Sequence, residues 1–321
     1  MIKNKKSIMF TFIAITLLMV ILISFLITMQ TSTKTQTDKI MAKATSINAF
    51  VQNIDINMQS SLKASGNQVV LALEDYMDVR DVYLAGNSNV VFREAITQGT
   101  YQGSQLRMMK QVVQGEAINF TIGATLSELR VVASRSNIVL SFDELNANDI
   151  SFTMKSPWTF GMDMQVKNVK VMDKEQELVW DLGTLNVAAE LQISRYRDPF
   201  YLVSDDVNIS VQKTNTTEFE TSNQLNSFIT NFEFYNHTDA PDFTQRMFGQ
   251  FDSSSVNGYE TILGSAGHNP NTPNPSSNSY ADFIYWGTKA SAIECNVAGV
   301  PGIKLDNEHK LLYTGIPCEG I

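Results

Sequence analysis

No glycine and no proline occur between Met1 and Ser65. With both breakers missing, nothing in that stretch forces a helix to end. Cysteine is scarce as well, with only Cys295 and Cys318 in the whole chain. That excludes a lipoprotein signal, which needs a cysteine at its cleavage point. Two well-separated cysteines without a histidine pair also give too few ligands for a zinc module. The three histidines, His237, His268 and His309, are scattered. No serine stands in a nucleophile-elbow pattern, and no glycine-rich loop precedes a helix in a phosphate-binding arrangement. Basic residues are few beyond Lys3, Lys5 and Lys6: the other 21 face 33 acidic ones. An acidic exterior without a basic patch excludes nucleic acid as a partner. There is no internal repeat.

What is present is an apolar run, Ser7–Met29. Of its 23 residues 14 are Ile, Leu, Phe or Val, and none is charged. As a helix it would be roughly 35 Å long, enough for a hydrocarbon core of about 30 Å. The preceding lysines place the N-terminus in the cytoplasm and the bulk of the chain outside. A cleaved secretory signal requires a shorter run and a small-x-small site, which Thr28-Met29-Gln30 does not offer. Two readings remain open. One is an uncleaved signal-anchor; the other is a pilin-type signal cut between Lys6 and Ser7. Both keep the helix.

Beyond the run, Ile40, Ala44, Ile47, Val51, Ile54, Met58 and Leu62 recur at helical spacing and form one stripe. The stripe needs a partner, either the protein's own domain or neighbouring copies. Ser65-Gly66 invites a kink before helix signals resume at Gln68–Met77. Ser104–Val113 and Thr125–Ser134 read as short helices. From Asn137 the period becomes two, with strand-like runs at Ile138–Phe142, Ile150–Met154, Gly161–Met172, Glu177–Trp180 and Val187–Ile193, and a turn at Leu182-Gly183. Gln224–Phe234 suggests a helix, Gly264–Tyr280 a long Asn/Pro/Ser loop, and Ala281–Trp286 a strand. The expected class is α+β: a long N-terminal transmembrane and amphipathic helix, then short helices and an antiparallel β-sandwich-like extracytoplasmic region. The segments are a cytoplasmic 1–6, a membrane span 7–29, a helical stalk 30–80, a short-helix connector 81–135, a sandwich-like region 136–201 and a β-rich C-terminal region 202–321.

Candidate sites are sparse. In an oxidising compartment a Cys295–Cys318 disulfide is the leading reading, worth roughly 3 kcal/mol through loop closure; two buried thiols are the alternative. His309 follows Asp306, Asn307 and Glu308, which a solvated turn explains as well as a metal does. Asp173 with Glu175 and Glu177, and Asp205-Asp206, are weak as glycosidase carboxylates; calcium at such loop tips is the other reading. No metal ligand, cofactor or catalytic residue is assigned, and an enzyme is not expected. Sequons occur at Asn119, Asn208, Asn215 and Asn236, a number that so Asn-, Ser- and Thr-rich a chain produces by chance. Trp158, Trp180 and Trp286 sit in or beside strand-like runs, as sheet-packing residues or a glycan platform.

The short basic run, apolar helix and amphipathic continuation resemble type IV pilin-like proteins, including archaeal ones with a class III signal peptide. That resemblance implies cleavage after Lys6; the family's acidic residue at the fifth mature position is replaced here by Thr11. Ala64-Ser65-Gly66 with Leu71–Tyr76, Phe92–Thr100, Ser156-Pro157-Trp158, Trp180, Arg197–Tyr201, Ala281–Trp286 and Lys304–His309 are similar to a group of archaeal membrane-anchored surface proteins whose activity is uncharacterised. The resemblance implies a cell-surface location and supplies no activity. The expectation is a single-pass, N-in surface protein with a structural or adhesive role, including that of a pilin-like filament subunit. The alternatives are an anchored glycan- or peptide-binding protein and an anchored extracytoplasmic hydrolase. Expected partners are the membrane, further copies through the N-terminal helix, and other surface or pilin-like proteins.

Overall fold

One helix sets the frame. α1 (Lys3–Arg80) runs through 78 residues without interruption, about 117 Å at 1.5 Å per residue. The structure is a computed structural model that describes residues 3–113, 116–204, 209–216, 219, 221–262, 281–282, 294–300, 303–306, 309–310 and 318–319. Within α1 the side chains of residues 3–18, 20, 26–27 and 30–36 lie outside that description. Among the described residues no helix is long and apolar enough to cross a membrane.

Ser65-Gly66 does not interrupt α1, which continues through it. Gly66 serves close packing instead: a Cβ there would lie 2.1 Å from the Sδ of buried Met162. The stripe finds its partner in the protein's own domain. Ile47, Ile54, Met58 and Leu62 are buried and continue into Val69, Val70, Leu73 and Met77, whereas Ile40 remains exposed.

After α1 comes α2 (Ser88–Gln98). The Asn87 side chain accepts the Val90 N–H at its start, and Gly99, at a φ of 73°, closes it in the left-handed conformation that glycine allows. Two small hairpins follow, β1 (Thr100–Tyr101) with β2 (Ser104–Gln105), and β3 (Lys110–Val113) with β4 (Glu116–Asn119). The helix expected over Ser104–Val113 is therefore corrected to strands around a single 3-10 turn, Arg107–Met109. Four cross-strand pairs from Lys110↔Asn119 to Val113↔Glu116 satisfy a backbone that includes two β-branched valines. The next helix, α3 (Ile122–Arg135), agrees with expectation and is capped by the Thr121 side chain.

The sheet region is antiparallel, as its period of two implied. β5 (Ile138–Ser141) and β6 (Ile150–Ser156) share one edge of the central β7 (Thr159–Asp173), and β8 (Val179–Gln192) lies along the other. The turn expected at Leu182-Gly183 is instead a bulge inside β8. Register shifts there, and Gly183 takes a φ of 65°; an isolated glycine in a strand accommodates such a step. Phe160, Met162, Met164 and Val166 of β7 meet Leu191, Ala189, Val187 and Leu185 of β8 on one face. Among the described residues no second sheet completes a sandwich over that face. α1 packs on it, because an amphipathic helix with a period of 3.6 can bury the same apolar surface.

Small elements build the C-terminal region: α4 (Pro199–Ser204), β9 (Gln212–Lys213), α5 (Ser222–Thr230), β10 (Glu233–Asn236), α6 (Phe243–Met247), β11 (Tyr259–Glu260), β12 (Glu294–Val297), β13 (Lys304–Asp306) and β14 (Cys318–Glu319). The expected helix at Gln224–Phe234 ends at Thr230, and its last residues enter β10. β10 pairs parallel with β9 and antiparallel with β11. β12 lies between β13 and β14, and Val297 stands opposite Cys318. The strands carrying the two cysteines are thus neighbours, although the cysteine side chains lie outside the described residues. Phe219, Leu225, Phe228, Ile262, Val300 and Leu305 belong to a second, smaller core. The expected loop Gly264–Tyr280 lies outside the described residues, as does all of Ala281–Trp286 except Ala281 and Asp282.

Candidate functional site

The Arg197–Tyr201 stretch (RDPFY) sits where α1 meets the C-terminal region. Arg197 donates to Asp78 of α1 at 2.7 Å, and its Nε lies 3.9 Å from the Glu74 carboxylate. Asp198 precedes α4 and accepts the backbone N–H of Phe200 at 3.0 Å. Its other oxygen accepts the Tyr259 hydroxyl at 2.9 Å.

Arg246 of α6 completes this buried network. Its guanidinium makes a two-bond fork to Asp282 (2.9 and 3.0 Å), donates to the Tyr259 carbonyl at 2.6 Å, and reaches Asp198 at 3.4 Å. All four residues are buried. Burial penalises the cation, but Asp282 and Asp198 more than offset it, so Arg246 stays well above its ordinary value. Burial likewise raises Asp282, to about 6, against the pull of Arg246. The fork geometry keeps this pair ionised at neutral pH. The carboxylates, the Tyr259 hydroxyl and both terminal nitrogens of the guanidinium are paired within the cluster, while the Arg246 Nε is buried without a hydrogen-bond partner among the described residues. We read the cluster as the joint that docks 198–204, 243–247, 259–260 and 282 onto one another.

Glu74 is a further buried acid. Burial pushes its carboxyl up to about 8, with Arg197 pulling it down and Asp198 and Asp78 raising it further. The folded state then holds this proton more tightly than the unfolded chain does. Its contribution is fully present below the ordinary value of 4.5 and is lost as pH rises through about 8. We expect Glu74→Gln, in the full chain in detergent, to flatten stability against pH across that interval and to leave the protein more stable than wild type at the alkaline end. Urea midpoints at several pH values read the difference. An unchanged slope would place the proton elsewhere.

One cluster was not visible in the sequence. Glu260 of β11 stands beside His237, just after β10, and beside His309, beyond β13. The His309 Nε2 is 3.3 Å from one carboxylate oxygen, and the His237 Nδ1 is 3.8 Å from the other. The two imidazole centroids are 5.3 Å apart. Glu260 and His309 are fully buried. These residues are 23 and 49 positions apart along the chain, so no local spacing could reveal them. The side chains of Asp306, Asn307 and Glu308, which drew attention to His309, lie outside the described residues. The other two members of the cluster come from β11 and from the residue that follows β10.

The other candidates separate clearly. Asp173, Glu175 and Glu177 converge, as their spacing suggested, but on the Lys43 ammonium of α1, which bonds to all three. The backbone N–H of Leu178, followed by Lys43, holds Asp173 below the usual carboxylate range. The cluster thus pins the β7–β8 turn to the helix. Asn119, Asn215 and Asn236 are exposed, while Asn208 and Asp205-Asp206 lie outside the described residues. The Asn119 side-chain Oδ1 accepts the Thr121 backbone N–H at 3.0 Å, a local turn contact. Trp158 is half-buried with its ring 5.8 Å from that of Tyr259, Trp180 is half-buried on β8, and Trp286 lies outside the described residues. Two to a face of exposed rings, as a glycan platform would need, is therefore not what Trp158 and Trp180 present.

At the opposite end of the molecule, α1 carries apolar side chains in the open. Met19 is 59% exposed and Phe25 65%, and Ile21, Leu22, Ile23 and Met29 are comparably bare. Positions 21–25 span more than a full turn, so exposure occurs on every side of the helix. Lys6 and Ser7 lie outside the described side chains. Comparison of the chain with protein-family models, with curated proteins and with solved structures finds no match.

Proposed function

We propose that the chain is a single-pass, membrane-anchored surface protein with a structural or adhesive role, built as a pilin-like subunit. In this reading Ser7–Met29 spans the membrane, Lys3, Lys5 and Lys6 hold the N-terminus inside, and the domain stands outside. The observation that carries the reading is one helix with two environments. From Ile47 to Met77 its apolar side chains form the domain's spine, and at Ile21–Phe25 they are bare all round. Leaving each large apolar side chain in water forgoes about 1.5–3 kcal/mol. Lipid, or the same helix in neighbouring copies, would recover it. A Cys295–Cys318 disulfide across the β12–β14 pair belongs to the same reading, since the outer compartment is oxidising.

Mass spectrometry of the mature N-terminus, with protease added to intact cells, tests the proposal. Protease should remove the C-terminal domain from intact cells. A mature chain starting at Ser7 would favour the filament subunit, and one keeping Met1 the plain anchor. A domain resistant to external protease, beside a surface control that is cut, would overturn the topology.

A further inference from the structure

We infer that His237, Glu260 and His309 form a binding site for a zinc-class divalent transition-metal ion. The first support is geometric. Three donor atoms, one from each residue, lie within 4.8 Å of one another. A tetrahedral zinc site with bonds of about 2.0–2.2 Å has donor–donor edges of about 3.3–3.6 Å. The carboxylate lies 3.3 Å from one imidazole nitrogen and 3.8 Å from the other. Small side-chain movements, without backbone change, would bring all three to bonding distance.

The second support is the donor set. Two imidazole nitrogens and one carboxylate oxygen suit zinc, iron, cobalt or nickel. Calcium and magnesium prefer all-oxygen shells. Two of the chain's three histidines are gathered here.

The third is how the site is held. Antiparallel pairing places Glu260 opposite Tyr235 and so brings β11 alongside the end of β10. The His237 backbone N–H donates to the Gly258 carbonyl at 3.1 Å, which fixes the imidazole's root beside the carboxylate. His309 arrives from a separate segment beyond β13. A bound ion would therefore tie three stretches of chain that are distant in sequence, clamping the small C-terminal core to the main domain. Three protein ligands leave a fourth position for water or a further donor. With Glu260 and His309 fully buried the role is structural, and metal binding becomes part of the folding free energy.

The full chain, purified in detergent without a metal column and stripped with chelator, provides the test. Titration with Co2+ should give visible d–d absorption that saturates at one equivalent, and Zn2+ should displace it. Chelator should lower the melting temperature of the metal-loaded protein. His237→Gln and His309→Gln should each weaken binding by more than the roughly 10–100-fold that outer-shell changes cost, while His268→Ala should leave it unchanged. The spectrum of the wild-type chain decides the matter even if a variant misfolds. No stoichiometric Co2+ band would mean a histidine–carboxylate ion pair only and would overturn the site. Binding that survives both His→Gln changes, or is lost with His268→Ala, would also overturn it.

Discussion

Arg246→Ala should unfold the C-terminal region or prevent its accumulation. Arg246 is buried, and it is the cation between two buried carboxylates, Asp282 and Asp198. Removing it leaves two anions facing each other without compensation, and it strips the Tyr259 carbonyl of a donor at 2.6 Å. Losing one partner of a buried pair costs about 3–5 kcal/mol, a large share of the roughly 5–15 kcal/mol that holds a domain folded. Arg246→Lys should recover little, because a single ammonium cannot reproduce the fork to Asp282 while also reaching Tyr259. Replacing the pair together, with Arg246→Met and Asp282→Leu, should cost less than Arg246→Ala alone. Urea denaturation of the full chain in detergent, monitored through its tryptophans, reads all three. Equal midpoints for wild type and Arg246→Ala would show that the network contributes nothing.

The helical half of this architecture is written locally. An unbroken stretch without glycine or proline, followed by residues at spacings of three and four, leads directly to a long helix, and Ile47, Ile54, Met58 and Leu62 are buried along it. Alternation likewise locates β5 to β8 within a few residues. Gly66 and Gly183 mislead for one shared reason. A glycine that breaks an isolated element is, in a packed one, the place where another chain approaches or a strand takes an extra step. At Ser104–Val113 the spacing suits a helix, yet pairing with Glu116–Asn119 decides otherwise, and that partner lies beyond any local window. The sites follow the same division. Lys43 with Asp173, Glu175 and Glu177 was half legible, because the acids are neighbours while their cation lies far upstream. Arg246 with Asp198 and Asp282, and His237 with Glu260 and His309, are assembled only by the fold. Asp198, Asp282 and His309 stand in runs that drew attention in the sequence, but nothing local names Arg246, or Glu260 and His237, as their partners.

Gly258→Ala should be nearly as damaging as the loss of Arg246, though it removes no polar group. A Cβ at Gly258 would fall 1.9 Å from the Ala240 carbonyl oxygen and 2.5 Å from that of His237. Both obstacles are backbone, so no rotamer change relieves them. One strand of chain must shift, and several hydrogen bonds hold it in place: His237 N–H to Gly258 O, Gly258 N–H to Ser255 O and Ser255 N–H to Ala240 O. Overpacking of this kind costs about 1–3 kcal/mol where side chains can adjust, and more is expected here. The displacement would pass to the next two residues, Tyr259 and Glu260. The first supplies Arg246 with an acceptor, and the second stands between the two histidines. Gly123→Ala provides the control: it lies in α3, its Cβ would meet nothing within 4 Å, and alanine's helix preference favours it by about 0.5–1 kcal/mol. A lowered urea midpoint for Gly258→Ala, beside an unchanged or raised one for Gly123→Ala, is the expected outcome. Equal midpoints for the two would show that the 237–260 turn yields without cost.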